Sequence, residues 1–182
     1  MIRPVQPDDT LAIMGLAVSS GLFSEAEADG VRTLMDDFFA RTREQGHDCL
    51  LDAADDDDVP VGVAYYQPTP ATDRTWTLLM IAVRRDRQGR GRGGALLSRV
   101  DELRRRQQRL LLVETSGSPG FAPARAFYDK SGYFAEARVR DYYEVGDDMV
   151  IYRKDLMAEP TDPTRGIAAA ATDAPGGHAE KS

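Results

Sequence analysis

Residues 75–94, TWTLLMIAVRRDRQGRGRGG, carry the strongest pattern in the chain. Residues 76–83 form an apolar run whose length and β-branched content are typical of a buried strand. An arginine- and glycine-rich segment follows, after which Leu96, Val100 and Leu103 recur at helical spacing among charged residues. Glycines leave backbone N–H groups open to a ligand, and the start of a helix adds positive potential. The order of strand, glycine loop and helix therefore predicts a binding site for a phosphate-bearing ligand.

Two nucleotide-binding patterns fit the glycines of this loop. Gly89, Gly91 and Gly94 have the G-x-G-x-x-G spacing of dinucleotide-binding proteins, and Glu114 lies twenty residues beyond Gly94. In that pattern the first glycine follows its strand almost at once, whereas residues 84–88 intervene here. We therefore keep an NAD-dependent oxidoreductase only as an alternative.

The second pattern is Gln/Arg-x-x-Gly-x-Gly/Ala, which Gln88, Gly91 and Gly93 fit just downstream of the apolar strand. It resembles the loop that holds the pyrophosphate of acetyl-CoA in the GCN5-related N-acetyltransferases (GNAT). Two other stretches resemble the same family. One is the apolar strand LLLVET, which contains Glu114, and the other is ARAFYDKSGY, residues 124–133, which is similar to the family's F/L-Y-x-x-x-G-F/Y helix. The resemblance covers residues 2–156, with the three stretches in the family's order.

The resemblance implies the fold class. It is an α/β fold with a mixed, mostly antiparallel sheet, splayed at its centre and flanked by helices. A length of 182 residues suits one domain, which we place at residues 1–156. Residues 157–182 are rich in alanine, proline, glycine and threonine and hold almost no bulky apolar side chains. Such a composition cannot offset the entropy of ordering, so it predicts a disordered tail.

Hydrophobic periodicity predicts the remaining elements. Ser24 and Glu27 have capping-box spacing at the start of the second of two early helices. Residues 49–53 and 59–66 are expected to be strands around a turn at 55–58, and Gly62 marks a bulge or a close backbone approach. The strand at 109–115 should lie parallel to the central strand, with the helix between them as the crossover. A helix ending near Gly132 and a hairpin of residues 139–145 and 149–154 complete the domain.

The charge distribution favours a compact anionic ligand over nucleic acid. The net charge is −7, yet residues 84–109 contain ten arginines and three acidic residues, a local excess of +7. The rest of the chain therefore carries −14. General nucleic-acid binding needs a broad basic face, whereas a cationic island on an acidic protein suits a polyanion such as CoA.

Composition also restricts the chemistry and the compartment. Cys49 is the only cysteine, in a predicted strand, so we expect a buried structural thiol and no intramolecular disulfide. With two histidines in the chain, a metal site or a Ser-His triad has little to build on. No apolar run approaches membrane-spanning length and the N-terminus lacks a signal-peptide core, so a cytoplasmic location without membrane contact is expected.

The resemblance implies acetyl transfer from acetyl-CoA to an amine by direct attack, without a metal. Tyr128 occupies the position of the family's general-acid tyrosine, and Glu114 resembles the glutamate base of the ribosomal-protein N-terminal acetyltransferases. A core position for Tyr128 and a structural ion pair for Glu114 are the alternatives. The residues expected to bind the cofactor are Ile81, Ala82, Val83, Gln88, Gly89, Arg90, Gly91, Arg92, Gly93 and Gly94.

The acceptor is an amine of a small molecule, an amino acid or a peptide, and no residue pattern identifies it further. Asp141 and Tyr143 are candidates to line its pocket. The family often has an asparagine a few residues before the helix tyrosine, and the stretch SGSPGFAPARAFY has none. A non-catalytic acyl-CoA-binding module therefore remains an alternative, and a homodimer is left open beside a monomer.

Overall fold

The computed structural model describes residues 1–54 and 59–157, with only the backbone at 104 and 105. The described strands form one seven-stranded sheet in the order β1-β2-β3-β4-β5-β7-β6. These strands are β1 (Ile2–Pro4), β2 (Asp48–Ala53), β3 (Pro60–Pro68), β4 (Thr75–Val83), β5 (Leu110–Ser116), β6 (Phe134–Glu144) and β7 (Asp147–Asp155). The helices are α1 (Thr10–Ser19), α2 (Ala28–Asp37), α3 (Arg92–Asp101) and α4 (Ala122–Lys130).

The centre of the sheet is splayed, as the resemblance implied. β4 and β5 are parallel, with α3 as their crossover, and all other neighbouring strands are antiparallel. β4 pairs with β5 only from Thr75↔Leu110 to Leu78↔Val113. Both strands continue beyond that point, β4 to Val83 and β5 to Ser116. The two strand ends therefore diverge and leave a cleft at the middle of the sheet.

Helices cover the two faces of the sheet to different extents. α3 and α4 pack on one face, in a buried cluster that runs from β2 to β7 and includes Leu96, Val113 and Tyr128. α1 and α2 pack on the other face, in a cluster whose described strand residues belong to β2, β3 and β4. Cys49 lies in this second cluster, 1% exposed, and burial raises the pKa of its thiol, as expected of a structural cysteine.

Gly62 permits the close packing of α3 on the sheet. A Cβ atom at this position would lie 3.0 Å from Leu96 Cδ1 and 3.3 Å from the carbonyl oxygen of Ala82. A larger residue would require both Leu96 and the Ala82 carbonyl to shift, so the expected close approach at Gly62 is present. The capping box is present too, because the Ser24 N–H donates to Glu27 Oε2 at 2.8 Å.

The last hairpin differs from its expected bounds. β6 begins at Phe134, five residues earlier than expected, and the turn lies at 145–146, before Asp147. Every residue of β6 is exposed, so the strand has no buried face that alternation could have indicated. The expected turn at 55–58 and the expected tail from 158 onward lie outside the described residues. Within the described part of the chain, no helix has the length and hydrophobicity needed to span a membrane.

Candidate active site

The cleft between β4 and β5 exposes the edge of β4 that carries three candidate residues. Beyond Leu78, no described residue pairs with this strand on the β5 side, while β3 pairs with its other side up to Val83. Ile81, Ala82 and Val83 lie in this half-paired segment. An unpaired strand edge offers backbone N–H and C=O groups to an extended ligand, which can add to the sheet as a strand does.

The glycine loop forms an open backbone cradle at the end of β4. Gly89 and Gly91 adopt positive φ angles of 70° and 80°. A Cβ atom added to Gly89, Gly91 or Gly94 would find no atom within 4 Å. α3 begins directly after Gly91, and the first N–H groups of a helix have no acceptor within the helix. Free amides, open space and the helix dipole together make a site suited to phosphate.

These glycines do not form a dinucleotide fingerprint. That fingerprint belongs to a parallel, doubly wound sheet in which the loop directly follows the first strand. Here β4 has an antiparallel neighbour on one side, and a short helical turn at Arg85–Arg87 separates it from Gly89. The NAD-dependent interpretation is therefore wrong.

Gln88 holds the loop in place. Its Nε2 atom donates to the carbonyl oxygen of Val83 at 2.9 Å and to that of Ser20 at 3.4 Å. The side chain thus ties the loop both to the end of β4 and to the end of α1. Arg90, two residues on, is exposed.

Arg92 is engaged within the protein. Its Nη1 atom lies 2.9 Å from Oδ2 of Asp52, a β2 residue that is 3% exposed. A buried carboxylate requires such a partner, because leaving its charge unpaired is costly. The sequence suggested a phosphate contact for Arg92 but could not reveal Asp52, which lies forty positions away.

Gly93 brings the two helices of the site together. A Cβ atom at Gly93 would lie 3.2 Å from Cζ of Phe127, so the ring of α4 rests almost on the backbone of α3. Tyr128 is next to Phe127 and is 6% exposed. Its ring centroid lies 5.4 Å from that of Tyr152 and 5.8 Å from that of Tyr133. Burial, and secondarily Tyr152, raises the pKa of the Tyr128 phenol.

Glu114 lies on the opposite face of the sheet from Tyr128. Val113 packs with Tyr128 in the cluster beneath α3 and α4, and strand alternation directs its neighbour Glu114 to the other face. Glu114 is exposed, and no residue in the described part of the chain forms a hydrogen bond or an ion pair with it. The buried phenol and the carboxylate thus lie on opposite faces of the sheet.

A bulge in β6 brings Tyr143 towards Glu114. Val139 pairs with Met149 and Glu144 with Asp147, so residues 140–143 loop out of the ladder. Burial raises the pKa of Tyr143, and the charge of Glu114 is the next contribution, which places the phenol and the carboxylate near each other. The rings of Tyr142 and Tyr143 meet edge to face at 5.0 Å.

Asp141 fixes the shape of this bulge. Its φ angle is 52°, a strained value for a non-glycine residue. Its N–H donates to Asp148 Oδ1 at 3.0 Å, and its Oδ1 accepts from the Gly146 N–H at 2.8 Å. The carboxylate of Asp141 therefore supports the hairpin turn.

Sequence reasoning missed one supporting residue, Arg125. Nη1 of Arg125 donates to the carbonyl oxygens of Ser116 and Ser118, at 2.6 and 2.9 Å. These bonds join α4, which carries Tyr128, to the loop that follows Glu114. The part of the chain that the structure describes contains no group of three or more His, Cys, Asp or Glu placed to hold a metal ion.

Comparison with known proteins identifies the family. A profile described as the acetyltransferase (GNAT) domain matches residues 46–134. A protein from Desulfovibrio desulfuricans, assigned to the GNAT family of acetyltransferases, is 39% identical with a TM-score of 0.79, and the match covers 86% of this chain and 98% of that one. The ribosomal-protein-S18-alanine N-acetyltransferase of Escherichia coli is 24% identical, covering 88% and 97%, with a TM-score of 0.67.

A Salmonella typhimurium protein, described as an acetyltransferase with its cofactor acetyl-CoA, is 18% identical. It has a TM-score of 0.67 over 90% of this chain and 98% of that one, a likeness of fold alone. No protein of curated function matches significantly. The Desulfovibrio match, at 39% identity over nearly all of that protein, shows that this chain belongs to the GNAT family of acetyltransferases.

Proposed function

We propose that this enzyme transfers the acetyl group of acetyl-CoA to a primary amine by direct attack in a ternary complex. The observation that carries the proposal is the cleft between β4 and β5, which has a phosphate cradle at one end. Glu114 and Tyr128 lie on opposite sides of it. An acid and a base can thereby act on one reacting centre from two directions.

The residues of the cradle fit acetyl-CoA. The open backbone at Gly89, Gly91 and Gly94 suits the pyrophosphate, with exposed Arg90 beside it. The free edge at residues 81–83 suits the pantetheine arm, and its amides can polarise a carbonyl. When bound, acetyl-CoA supplies the acetyl group as a thioester.

Glu114 is the proposed base. An amine is protonated at neutral pH, and its nitrogen cannot attack until the proton is removed. Glu114 is exposed at the cleft, and no described residue forms a hydrogen bond or an ion pair with its carboxylate. Its charge also attracts the ammonium form of the acceptor to this side of the sheet.

Tyr128 is the proposed proton donor to the departing sulfur. Burial raises the pKa of the phenol, so its proton stays in place at neutral pH. Its hydroxyl therefore acts as a hydrogen-bond donor in the ground state. No rate loss from ionisation of Tyr128 is expected below pH 10, the ordinary pKa of a tyrosine.

The first experiment is a thermal melt with acetyl-CoA, CoA or NADH. A ligand at a hundred times its Kd stabilises the folded state by about 2.7 kcal/mol. For a domain of this size that is a shift of roughly 5–10 °C. A shift with both CoA forms and none with NADH supports the cofactor, whereas no shift with either CoA form would refute it.

The second experiment tests the chemistry by thiol release over an amine panel. Tyr128→Phe should lower kcat about 10²-fold or more while acetyl-CoA still raises the Tm of the variant, and Glu114→Gln should have the same two effects. Unchanged turnover in either variant would remove that residue from the mechanism. Cofactor binding without transfer to any amine would instead indicate an acyl-CoA-binding module.

A further inference from the structure

Among the described elements, no helix covers one part of the sheet face on the Glu114 side. α1 and α2 cover β2, β3 and β4, and the described residues of their cluster include none from β5, β6 or β7. Strand pairing shows which side chains lie on the uncovered part. Glu114 pairs with Ile151 and Ile151 with Ala137, so these three share one face across three strands.

This uncovered face is mainly apolar. We call Leu112, Phe134, Val139 and Ile151 the apolar platform. Phe134 and Val139 are each 42% exposed, and Leu112 and Ile151 are half-buried. The β7 residues Arg153, Ile151 and Met149 each pair with one residue of β5 and one of β6, so their partners lie on the same face. Arg153 pairs with both Leu112 and Phe134 and so lies between them on this face, with its Nη2 atom 3.5 Å from Oδ2 of Asp155.

The platform is continuous with the proposed catalytic centre. Glu114 follows Leu112 by two positions on β5, so the two side chains are neighbours on the same face. Leu79 is 45% exposed and is the extra residue of a bulge in β4, at the point where the cleft opens. The Glu114 carboxylate, which has no partner among the described residues, thus borders a mainly apolar surface, a distribution complementary to an ammonium group with an apolar body.

The edge of β6 is less suited to pairing with a second copy of the chain. The strand carries Glu136, Arg138, Arg140, Asp141 and Glu144, and its register shifts at two places. Charged side chains and bulges are the features that keep edge strands from pairing with one another. A protein partner at this edge is therefore disfavoured, whereas none of the elements that the structure describes covers the face of the strand.

We propose that the apolar platform binds the apolar body of the acceptor, so that the preferred substrate is a primary amine attached to an alkyl or aromatic group. This inference rests on the proposed function. Adjacent strands lie about 4.8 Å apart, so the platform extends roughly 10 Å from Glu114 to β6. A body of six carbons in extended form covers most of that distance.

The test compares n-alkylamines from ethylamine to hexylamine as acceptors, with saturating acetyl-CoA and thiol release as the readout. These amines have nearly equal basicity, so differences in rate among them reflect contacts made by the alkyl chain. Full burial of one methylene gives about a fourfold gain in kcat/KM. Since the platform buries only one side of the chain, we expect hexylamine to exceed ethylamine by about tenfold or more.

Two variants assign the gain to the platform. Val139→Asn and Phe134→Asn each place an amide on the exposed surface and should reduce the hexylamine-to-ethylamine ratio about threefold or more. The matched control is Met157→Asn. Met157 is 57% exposed and follows the end of β7 that pairs with the start of β5, away from the cleft. It should leave the ratio unchanged.

The outcomes separate this inference from the function on which it rests. If acetyl-CoA stabilises the protein but no amine is acetylated, the proposed function fails. If all amines react equally well, or if both platform variants keep the wild-type ratio, the inference alone is overturned. It is also overturned if Val139→Asn abolishes a concentration-dependent dimer without changing the ratio, because the platform would then be covered by a second copy.

Discussion

Replacement of Arg92 by methionine should destabilise the protein while leaving acetyl-CoA affinity nearly intact. Methionine keeps the unbranched stem of arginine and removes the guanidinium that faces Asp52 at 2.9 Å. The carboxylate of Asp52 has a side-chain exposure of 5%, so water cannot replace the lost partner. The charge would then be buried and largely unpaired.

The magnitude follows from this burial. Removing one partner of a fully buried ion pair costs about 3–5 kcal/mol. Two features reduce that figure here: the Arg92 side chain is 22% exposed, and the N-terminal ammonium lies 3.7 Å from Asp52 Oδ1. We therefore expect a loss of about 2–3 kcal/mol, or roughly 5–10 °C in Tm.

Thermal melting and calorimetric titration with acetyl-CoA measure the two effects. The double variant Arg92→Met with Asp52→Asn should regain most of the stability, because an amide needs no counter-charge. Arg90→Met is the matched control: this exposed arginine of the same loop has no ion pair among the described residues, and its loss should leave the apo Tm unchanged. An unchanged Tm in Arg92→Met, together with a tenfold weaker Kd for acetyl-CoA, would refute the reasoning and make Arg92 a phosphate ligand.

Three further predictions concern the loop, a half-buried histidine and α4. Gly94→Ala should stabilise the apo protein by up to about 1 kcal/mol, since no atom lies near the added Cβ. The same variant should reduce the rise in Tm that acetyl-CoA produces, and a lower apo Tm would contradict the prediction. Burial lowers the pKa of His47 from 6.5, so the free energy of unfolding should fall as the pH drops below that value. His47→Gln should remove this part of the pH dependence, and identical curves of stability against pH for both proteins would exclude a contribution from His47. Arg125→Ala loses two bonds to carbonyl oxygens and should lower Tm by about 3–8 °C, together with turnover; wild-type values of both would show that these bonds are not needed.

The elements with one apolar face were predictable from the sequence. Leu96, Val100 and Leu103 of the helical pattern are all buried, because a period of 3.6 residues reports directly on which side of a helix meets the core. Ser24 and Glu27 form their capping bond because capping depends on residues three positions apart. Local rules were sufficient wherever the relevant partners are near in sequence.

The features that shape the site depend on partners far apart in the chain. Arg92 could be recognised as a cationic residue beside a glycine loop, but whether its guanidinium is free to bind phosphate depends on Asp52. β6 was only half predicted, because an exposed edge strand has no buried side to produce alternation. Its bulge depends on Asp148, which accepts the N–H of Asp141 from the neighbouring strand. None of these relations leaves a periodic signal.

The position at which β4 and β5 stop pairing determines whether Glu114 and Tyr128 can act together. Consecutive residues of a strand point to opposite faces, so a continuous sheet would separate the carboxylate of Glu114 from the phenol of Tyr128, which shares a buried cluster with Val113. Pairing ends at Leu78, and Leu79 is the extra residue of a β-bulge, a feature that bends and twists its strand. The bulge therefore gives a physical cause for the splay, and the splay opens a path through the sheet from one face to the other. An acid and a base on opposite faces of a sheet can reach one substrate only at such an opening, so the extra residue at position 79 is as necessary to the proposed chemistry as the two side chains themselves.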